Sequence, residues 1–196
     1  MVCTDDPRLY DIVRMLRSHG MVRESSSEKV KRAYRARHPD LDPEFIFAFP
    51  GYNVRPTEIG AILGRAQLRR LNSNNRIRTQ NMSLFLDNLD PALYQTDFER
   101  EGSSNYALTL VLRKADRTLC KKVMSVLRAH RVEFRRGTSG GGNQLRQPYL
   151  RNRVRSNLAK DFPVCEDVHF IGFYIGNYPT LRRRKIRALC DILNGL

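Results

Sequence analysis

Residues 50–68 read PGYNVRPTEIGAILGRAQL and contain the most informative pattern in the chain. The Pro50-Gly51 pair ends the short apolar run 45–53 (FIFAFPGYN), which predicts a strand or extended segment that enters a turn. Pro56 then opens a long helix, because proline is tolerated in the first helical turn. The spacing of the apolar residues predicts the buried face of this helix, which consists of Ile59, Ile62, Leu63 and Ala66.

Two glycines interrupt the same helix. Gly60 and Gly64 are one turn apart and leave a flat patch where another backbone can approach closely. Simple tolerance of glycine costs about 1 kcal/mol at each position. Because two of them share one face, we favour close packing of this patch at a subunit interface.

The motif in residues 50–68 closely resembles a signature of the DegT/StrS-type sugar aminotransferases, roughly GYN-x-R-x-[ST]-[DE]-[IML]-x-A-x-x-G-x-x-Q-L. Residues 1–20 (MVCTDDPRLYDIVRMLRSHG) resemble the strand and helix that follow a Gly-Gly element of that family. Residues 135–150 (RRGTSGGGNQLRQPYL) and 173–178 (FYIGNY) resemble its small domain. The resemblance therefore covers almost the whole chain, and it implies a fold type I enzyme that uses pyridoxal phosphate on nucleotide-linked 4-keto sugars.

The fold class implied by the resemblance is α/β, as the C-terminal part of a fold type I aminotransferase. Residues 1–90 would be the remnant of the large cofactor-binding domain with a long connecting helix. Residues 91–196 would be a small α+β domain with a short sheet and helices on one side. The local patterns agree, because residues 106–193 read as strand, helix, strand, loop, strand and helix.

The individual elements follow from apolar spacing and from capping residues. Helices are predicted at 5–19, at 56–68 with resumption to the break at Asp90-Pro91, at 116–130 and at 179–193. Strands are predicted at 1–4, 106–112, 132–136 and 169–175. The polar stretch 23–38 reads as an exposed connection, and 137–165 as a long polar loop.

The resemblance also implies that a catalytic residue is missing. In the family, the lysine that forms the Schiff base lies shortly before the Gly-Gly-Met element, and this chain begins at or just after that element. No lysine here matches that position, since Lys114, Lys121 and Lys122 flank a helix of the small domain. We therefore expect no catalytic residue in the chain, no covalent bond to pyridoxal 5'-phosphate, and no activity without a complementing N-terminal half.

Two groups of site residues follow from the resemblance. Asn53 corresponds to a residue that reaches the cofactor phosphate bound by the other subunit of a homodimer, and Arg55 beside it is expected to be the second contact to that anion. An amide N–H and a guanidinium suit phosphate oxygens, and alternation places residues 53 and 55 on one side of an extended segment. The residues expected to face the nucleotide-sugar substrate are Arg136, Asn143, Gln147 and Tyr149.

Three functions stay open at this stage, and the resemblance favours the first because it is the commonest in the family. The first is an aminotransferase for a nucleotide-linked 4-keto sugar in surface polysaccharide biosynthesis, such as that of lipopolysaccharide O-antigen. The second is a nucleotide-sugar 3-dehydratase of the same family, in which histidine replaces the Schiff-base lysine. The third is a non-enzymatic basic module on the same scaffold, which binds nucleic acid or a partner protein.

Composition and charge limit the partners, the cellular location and the metal sites that we expect. The chain has 196 residues and a net charge of +15, which attracts polyanions in general, but it contains no recognised nucleic-acid motif, so nucleic acid is not the partner that we expect. No apolar run reaches about 18 residues and no secretory leader is evident, so we expect a cytoplasmic protein without a membrane partner. The four cysteines form no CxxC pair, and no metal site is expected.

Overall fold

The computed structural model of the chain describes residues 2–54, 57–136, 142–151, 153–154 and 157–196. The helices are α1 (Pro7–Leu16), α2 (Glu28–Arg37), α3 (Glu58–Leu68), α4 (Leu71–Asn88), α5 (Arg117–Ala129), α6 (Pro148–Arg151), α7 (Leu158–Asp161), α8 (Pro163–Ile171) and α9 (Arg183–Asn194). The strands are β1 (Ala107–Val111), β2 (Phe134–Arg136) and β3 (Gly172–Gly176). This mixture of helices with a small antiparallel sheet confirms the α/β class.

The chain divides into two compact units. The first comprises residues 1–57 and 140–166, and the second comprises residues 58–139 and 167–196. The domain boundary predicted at residue 90 falls within the second unit. It stays a prediction, because it refers to the domains of a complete family enzyme, whereas the two units describe how this chain packs.

The first unit is built around α1 and the extended segment that ends in the GYN motif. Asp6 caps α1, since its side chain accepts the N–H of Arg8 at 2.8 Å, which satisfies one of the free donors of the first turn. The buried residues of this unit form two small clusters. One contains Met15, Val22, Leu41 and Ile46, and the other contains Met21, Phe45 and Phe47.

The polar stretch 23–38, predicted as an exposed connection, is largely helical. Residues 28–37 form α2, and Ser27 caps this helix through the N–H of Val30. The carboxylate of Asp11 accepts hydrogen bonds from the Ser25 hydroxyl and from the N–H of Ser26. The prediction was wrong here because it weighed the low apolar content of the stretch and gave no weight to its capping serine.

The polar loop predicted at 137–165 also contains helices. Among the described residues of this stretch, a 3₁₀ turn spans Gln144–Arg146, α6 and α7 follow it, and α8 begins at Pro163. Asn143 and Asn157 cap two of these short elements with their side chains. Because each piece is only three or four residues long before α8, no helical periodicity is visible in the sequence.

The second unit packs helices on a three-stranded antiparallel sheet of order β1-β3-β2. Leu110 pairs with Phe173, and Phe134 pairs with Ile175, which sets the register. The strands β1 and β2 and the helices α4, α5 and α9 lie where the sequence predicts them, within a few residues. The apolar residues of α9 that recur at helical spacing are all buried, namely Ile186, Leu189, Cys190 and Leu193.

The third strand starts later than predicted. Residues 169–171 belong to the end of α8, and β3 begins at Gly172. A Cβ at Gly172 would lie 2.6 Å from the carbonyl oxygen of Val168, so the change from helix to strand requires glycine at this position. The apolar run HFIGFYI has no periodicity that separates a buried helix end from a buried strand.

The helix α3 is formed, but its predicted burial is wrong for this chain alone. Ile59 is 71% exposed, Ile62 is 68% exposed and Leu63 is 59% exposed. No residue of α3 is buried within the described part of the chain, and a Cβ on Gly64 would meet nothing within 4 Å. The apolar face of α3, formed by Ile59, Ile62, Leu63 and Ala66, is therefore open.

Candidate functional site

The GYN turn is fixed by hydrogen bonds to the end of α1. The N–H of Tyr52 donates to the carbonyl of Leu16 at 2.7 Å, and the N–H of His19 donates to the carbonyl of Tyr52 at 2.7 Å. Gly51 lies directly against the backbone of Gly20, where a side chain on Gly51 would collide with main-chain atoms. This close crossing explains why glycine is needed at residue 51 and holds the following residue in a defined place.

Asn53 is the predicted cofactor residue that the structure describes. Its backbone forms an isolated antiparallel bridge with Ser18, and its side chain is exposed. The side-chain amide makes no hydrogen bond to any other residue in the described part of the chain, so its donors are available to a ligand. This arrangement fits a phosphate group, which takes N–H donors. Arg55, the second predicted contact, lies outside the described residues.

Arg136 ends β2 in the second unit and is half-buried. Its Nε is buried and has no acceptor among the described residues. Burial raises the pKa of the Cys120 thiol, and the positive charge of Arg136 opposes that effect. A half-buried guanidinium with an unused N–H has the capacity to bind an anionic group.

The other predicted substrate residues lie together in segment 142–151 of the first unit, and their polar atoms are used internally. Asn143 accepts the N–H of Leu145 at 3.0 Å and donates to Glu166 at 3.0 Å. Tyr149 is half-buried, with its hydroxyl 3.1 Å from the Gln144 side chain. Burial raises the pKa of Tyr149.

Gln147 is completely buried in the first unit. Its Nε2 donates to the carbonyl of Phe45 at 2.7 Å, and its Oε1 accepts the N–H of Phe47 at 2.8 Å. Both ends of the amide thus bind the extended segment that leads into the GYN turn. The observed contacts of Gln147 are structural, and its role toward a nucleotide-sugar stays a prediction, as do those of Asn143 and Tyr149.

A charged cluster beside these residues was missed by the sequence analysis. Arg146 donates from Nη1 to Asp40 at 2.7 Å and from Nε to Glu166 at 2.9 Å, and its Nη2 also contacts Glu166. The hydrogen bond to Glu166 and the one to Asp40 raise the pKa of Arg146 against the opposing effect of burial. Asp40 is 106 residues away along the chain, so no local signal pairs it with Arg146.

Within the described ranges, no three His, Cys, Asp or Glu side chains gather as a metal-binding group. No helix in the part of the chain that the structure describes is long and apolar enough to cross a bilayer.

Comparisons with known proteins identify relatives over the full extent of the chain. The chain is 26% identical over 193 residues to GDP-4-keto-6-deoxy-D-mannose 3-dehydratase of Yersinia pseudotuberculosis, which covers 98% of this chain and 48% of the relative. A crystal structure of GDP-4-keto-6-deoxymannose-3-dehydratase that holds PLP and glutamate matches with a TM-score of 0.57 and 25% identity, over 97% of this chain and 49% of that one. The chain thus spans about half the length of the relatives that it matches.

A more distant structure shows the same fold. The S. venezuelae DesV structure, a complex with a ketimine intermediate, matches with a TM-score of 0.58 at 17% identity, over 98% of this chain and 45% of that one. The sequence profile of the DegT/DnrJ/EryC1/StrS aminotransferase family matches residues 1–194. The enzymes of this family depend on pyridoxal phosphate. On the strength of that match, which leaves only two residues outside, this chain belongs to the DegT/DnrJ/EryC1/StrS aminotransferase family.

Proposed function

We propose that this chain is the C-terminal half of a pyridoxal-phosphate enzyme for a nucleotide-linked 4-keto sugar, and that it acts together with a complementing N-terminal half. The main observation in support of this proposal is the open apolar face of α3. This helix directly follows the GYN motif. Soluble proteins rarely leave such a face uncovered. The chain spans 48% of the Yersinia relative and 49% of the dehydratase structure that it matches.

The cofactor phosphate would be held by Asn53 and Arg55. The exposed, unused amide of Asn53 supports this role, and the turn of residues 50–53 is held firmly on α1. When bound, pyridoxal phosphate supplies an electron sink, while the protein positions it. In the homodimer that we propose, these two residues contact the phosphate bound by the other copy.

Contacts to the nucleotide-sugar are proposed for Arg136 of the second unit, whose half-buried guanidinium suits a diphosphate, and separately for segment 142–151 of the first unit. In that segment, we propose that Asn143, Gln147 and Tyr149 lie on the side that faces the sugar. Their internal hydrogen bonds support a loop with a defined shape. A pre-formed loop binds a ligand at a lower entropic cost than a flexible one.

Two reactions remain for this site. The relative named above, at 26% identity, is a 3-dehydratase, and this similarity favours dehydration of a GDP-linked 4-keto-6-deoxy sugar. Transamination of a related nucleotide-sugar is the second candidate, and it is supported by the family to which the chain belongs. In either case we propose a cytoplasmic step in the synthesis of a surface polysaccharide, such as lipopolysaccharide. Four cysteines that are all free suit a reducing compartment.

The test combines this chain with the N-terminal half of the Yersinia relative. The mixture is assayed for retention of pyridoxal phosphate and for conversion of GDP-4-keto-6-deoxymannose, with and without glutamate. Asn53→Ala and Arg55→Ala should each lower cofactor affinity by about tenfold, because each removes a hydrogen bond to a charged group. Asn72→Ala and Arg8→Ala, which change exposed residues elsewhere, are the matched controls.

The chain alone provides the complementary measurement. After incubation with pyridoxal phosphate and borohydride, we expect no stoichiometric adduct on a single lysine, because no lysine matches the family position. A single-site adduct with turnover by the chain alone would contradict the proposal. Equal cofactor retention in the wild type and both site variants would remove the phosphate role.

A further inference from the structure

The extended segment 45–53 leads into the GYN turn and is bonded along one edge to the chain that follows α1. The N–H of Val22 donates to the carbonyl of Ile46 at 2.9 Å, and the N–H of Ala48 donates to the carbonyl of Gly20 at 2.9 Å. Paired backbone groups of this kind hold an extended chain against its neighbour without help from side chains. One edge of the segment is therefore fixed by the backbone of the first unit.

The opposite edge of this segment is bonded to the side chain of Gln147. Successive residues of an extended chain turn their N–H and C=O groups to opposite edges, so Phe45 and Phe47 face away from the edge that Ile46 and Ala48 use. Oε1 of Gln147 accepts the N–H of Phe47 at 2.8 Å, and its Nε2 donates to the carbonyl of Phe45 at 2.7 Å. One side-chain amide thus holds the second edge of the segment.

The same extended segment ends at the predicted phosphate contact. Asn53 lies six residues after Phe47 and forms an isolated antiparallel bridge with Ser18. Tyr52, directly before it, is bonded through both its N–H and its carbonyl to the end of α1 and the residues that follow this helix. Because the backbone between residues 47 and 53 is short and bonded at both ends, a displacement of Phe47 changes the position of Asn53.

Gln147 suits a role in positioning because it is completely buried and both ends of its amide are bonded to backbone. A buried side chain with all its polar groups satisfied keeps one conformation. Its polar atoms therefore act on the extended segment, and the order that they impose persists whether or not a ligand is bound. Asn53, in contrast, is exposed, so the order of its own backbone decides where its amide lies.

The neighbouring residue Arg146 anchors the same segment elsewhere. Its guanidinium binds Asp40 and Glu166, and neither carboxylate belongs to the extended segment 45–53. Loss of Arg146 therefore weakens the attachment of residues 142–151 to the first unit without removing a bond to the segment that carries Asn53. The two adjacent side chains separate a general effect on stability from a specific effect on the phosphate contact.

We propose that Gln147 is a positioning residue for the cofactor phosphate, because its two bonds to the extended segment keep Asn53 at the place from which the Asn53 amide binds that phosphate. The inference rests on the proposed function, in which Asn53 is a phosphate contact. A donor whose backbone is already ordered binds its ligand at a lower entropic cost than a mobile one. Segment 142–151 thereby joins the residues proposed for the sugar to the residue proposed for the phosphate.

The first test follows hydrogen exchange of the Tyr52 N–H by NMR in the full chain without cofactor. Gln147→Met removes both hydrogen bonds at similar side-chain volume and should speed this exchange by about tenfold, because the extended segment loses the support of one edge. Arg146→Met introduces the same residue one position earlier and should leave the exchange within about twofold of the wild type, since exchange at an exposed turn reports local opening. Gln147→Asn, with an amide one methylene shorter, replaces Gln147→Met if that variant does not fold.

The second test measures the affinity for pyridoxal phosphate in the mixture of this chain with the N-terminal half of the Yersinia relative. Gln147→Met should lower this affinity by about tenfold when Asn53 is present and by less than about twofold in the Asn53→Ala background. A positioning residue acts through the group that it positions, so the two effects do not add. Arg146→Met should change the affinity by less than about twofold in both backgrounds.

Two results would overturn the proposal. In the first, Gln147→Met and Arg146→Met change the exchange of Tyr52 equally, which would assign both residues a general role in stability. In the second, the affinity losses of Gln147→Met and Asn53→Ala add in the double variant. A wild-type mixture that holds no pyridoxal phosphate would contradict the proposed function instead. The exchange of Tyr52 in the chain alone tests the role of Gln147 whichever way the mixture behaves.

Discussion

Phe47 donates its backbone N–H to Oε1 of Gln147 at 2.8 Å, across 100 residues of chain. The same side chain donates back to the carbonyl of Phe45 at 2.7 Å. Gln147 thus satisfies two backbone groups of an extended segment that has no neighbouring strand along this edge in the described structure. A buried amide that pairs in this way acts as a substitute for one residue of a strand.

Gln147→Ala should destabilise the first unit by about 3 kcal/mol, because it removes two buried hydrogen bonds to the backbone of Phe45 and Phe47. Gln144→Ala is the control, since Gln144 belongs to the same segment but is only half-buried. Its cost should stay below about 1 kcal/mol. Denaturant unfolding followed by tyrosine fluorescence measures both values. Equal effects would show that Gln147 has no special role in the fold.

Arg146, like Gln147, holds segment 142–151 in place through contacts with distant residues. Arg146→Met should cost about 3 kcal/mol, because it removes the guanidinium that holds the carboxylates of Asp40 and Glu166 together in a half-buried place, although Asp40 keeps its longer contact with Arg151 at 3.7 Å. Arg146→Lys should recover only part of this stability, since an ammonium group cannot bind two carboxylates in a fork geometry. Exposed Arg153→Met serves as the control in the same unfolding measurement. Full recovery of stability in Arg146→Lys would contradict the view that the fork geometry of the guanidinium is needed.

Acid should destabilise the first unit in two stages. Burial, together with the nearby charge of Arg151, lowers the pKa of His38 below its usual 6.5. Burial would raise the pKa of Asp40, but the hydrogen bond from Arg146 and the charge of Arg151 outweigh that effect and lower it below 3.8. A group whose pKa is lower in the folded state contributes stability above its unfolded pKa and loses it as the pH falls.

The upper stage should therefore begin as the pH drops through about 6.5, and the lower stage below about 3.8. His38→Gln should remove the upper stage. Asp40→Asn should reduce the lower one, to which Asp11 also contributes, because burial would raise the pKa of Asp11 but hydrogen bonds from Ser25 and Ser26 outweigh that effect and lower it. The free energy of unfolding, measured across the pH range, checks both, with His130→Gln as an exposed histidine control. A stability that rises on acidification between pH 7 and 5 would contradict this sign.

Elements with a long apolar repeat could be predicted from the sequence. The stripe of α9 and the buried residues Phe85 and Leu86 of α4 follow the helical period, and burial confirms them. The GYN motif led to the family, and the family profile confirms that resemblance. In each case the deciding information lies within about twenty neighbouring residues.

Features that depend on distant contacts could not be predicted. Arg146 finds Asp40 from 106 residues away, and Gln147 finds Phe47 from 100 residues away, so neither pair leaves a local pattern. The boundary between α8 and β3 depends on the close approach of Gly172 to Val168. The exposure of α3 depends on what packs against it, and an amphipathic pattern does not show whether its partner belongs to the same chain.

The apolar face of α3 should make the isolated chain self-associate. Ile59, Ile62 and Leu63 are each more than half exposed, and association removes their apolar surface from water. Light scattering over a range of protein concentrations should show oligomers of the wild type. Ile62→Glu should shift the population toward monomer, because a charge at the centre of the face is costly to bury.

Val164→Glu is the matched control, since Val164 is 75% exposed but lies outside α3. It introduces the same charge and should leave the association unchanged. Addition of the N-terminal half of the Yersinia relative should compete with self-association if that half covers α3, and Ile62→Glu should weaken the competing complex as well. A wild type that stays monomeric at every concentration would show that the open face of α3 is tolerated by the chain alone. A shift of equal size in Val164→Glu would show that net charge, and not the apolar face, controls association.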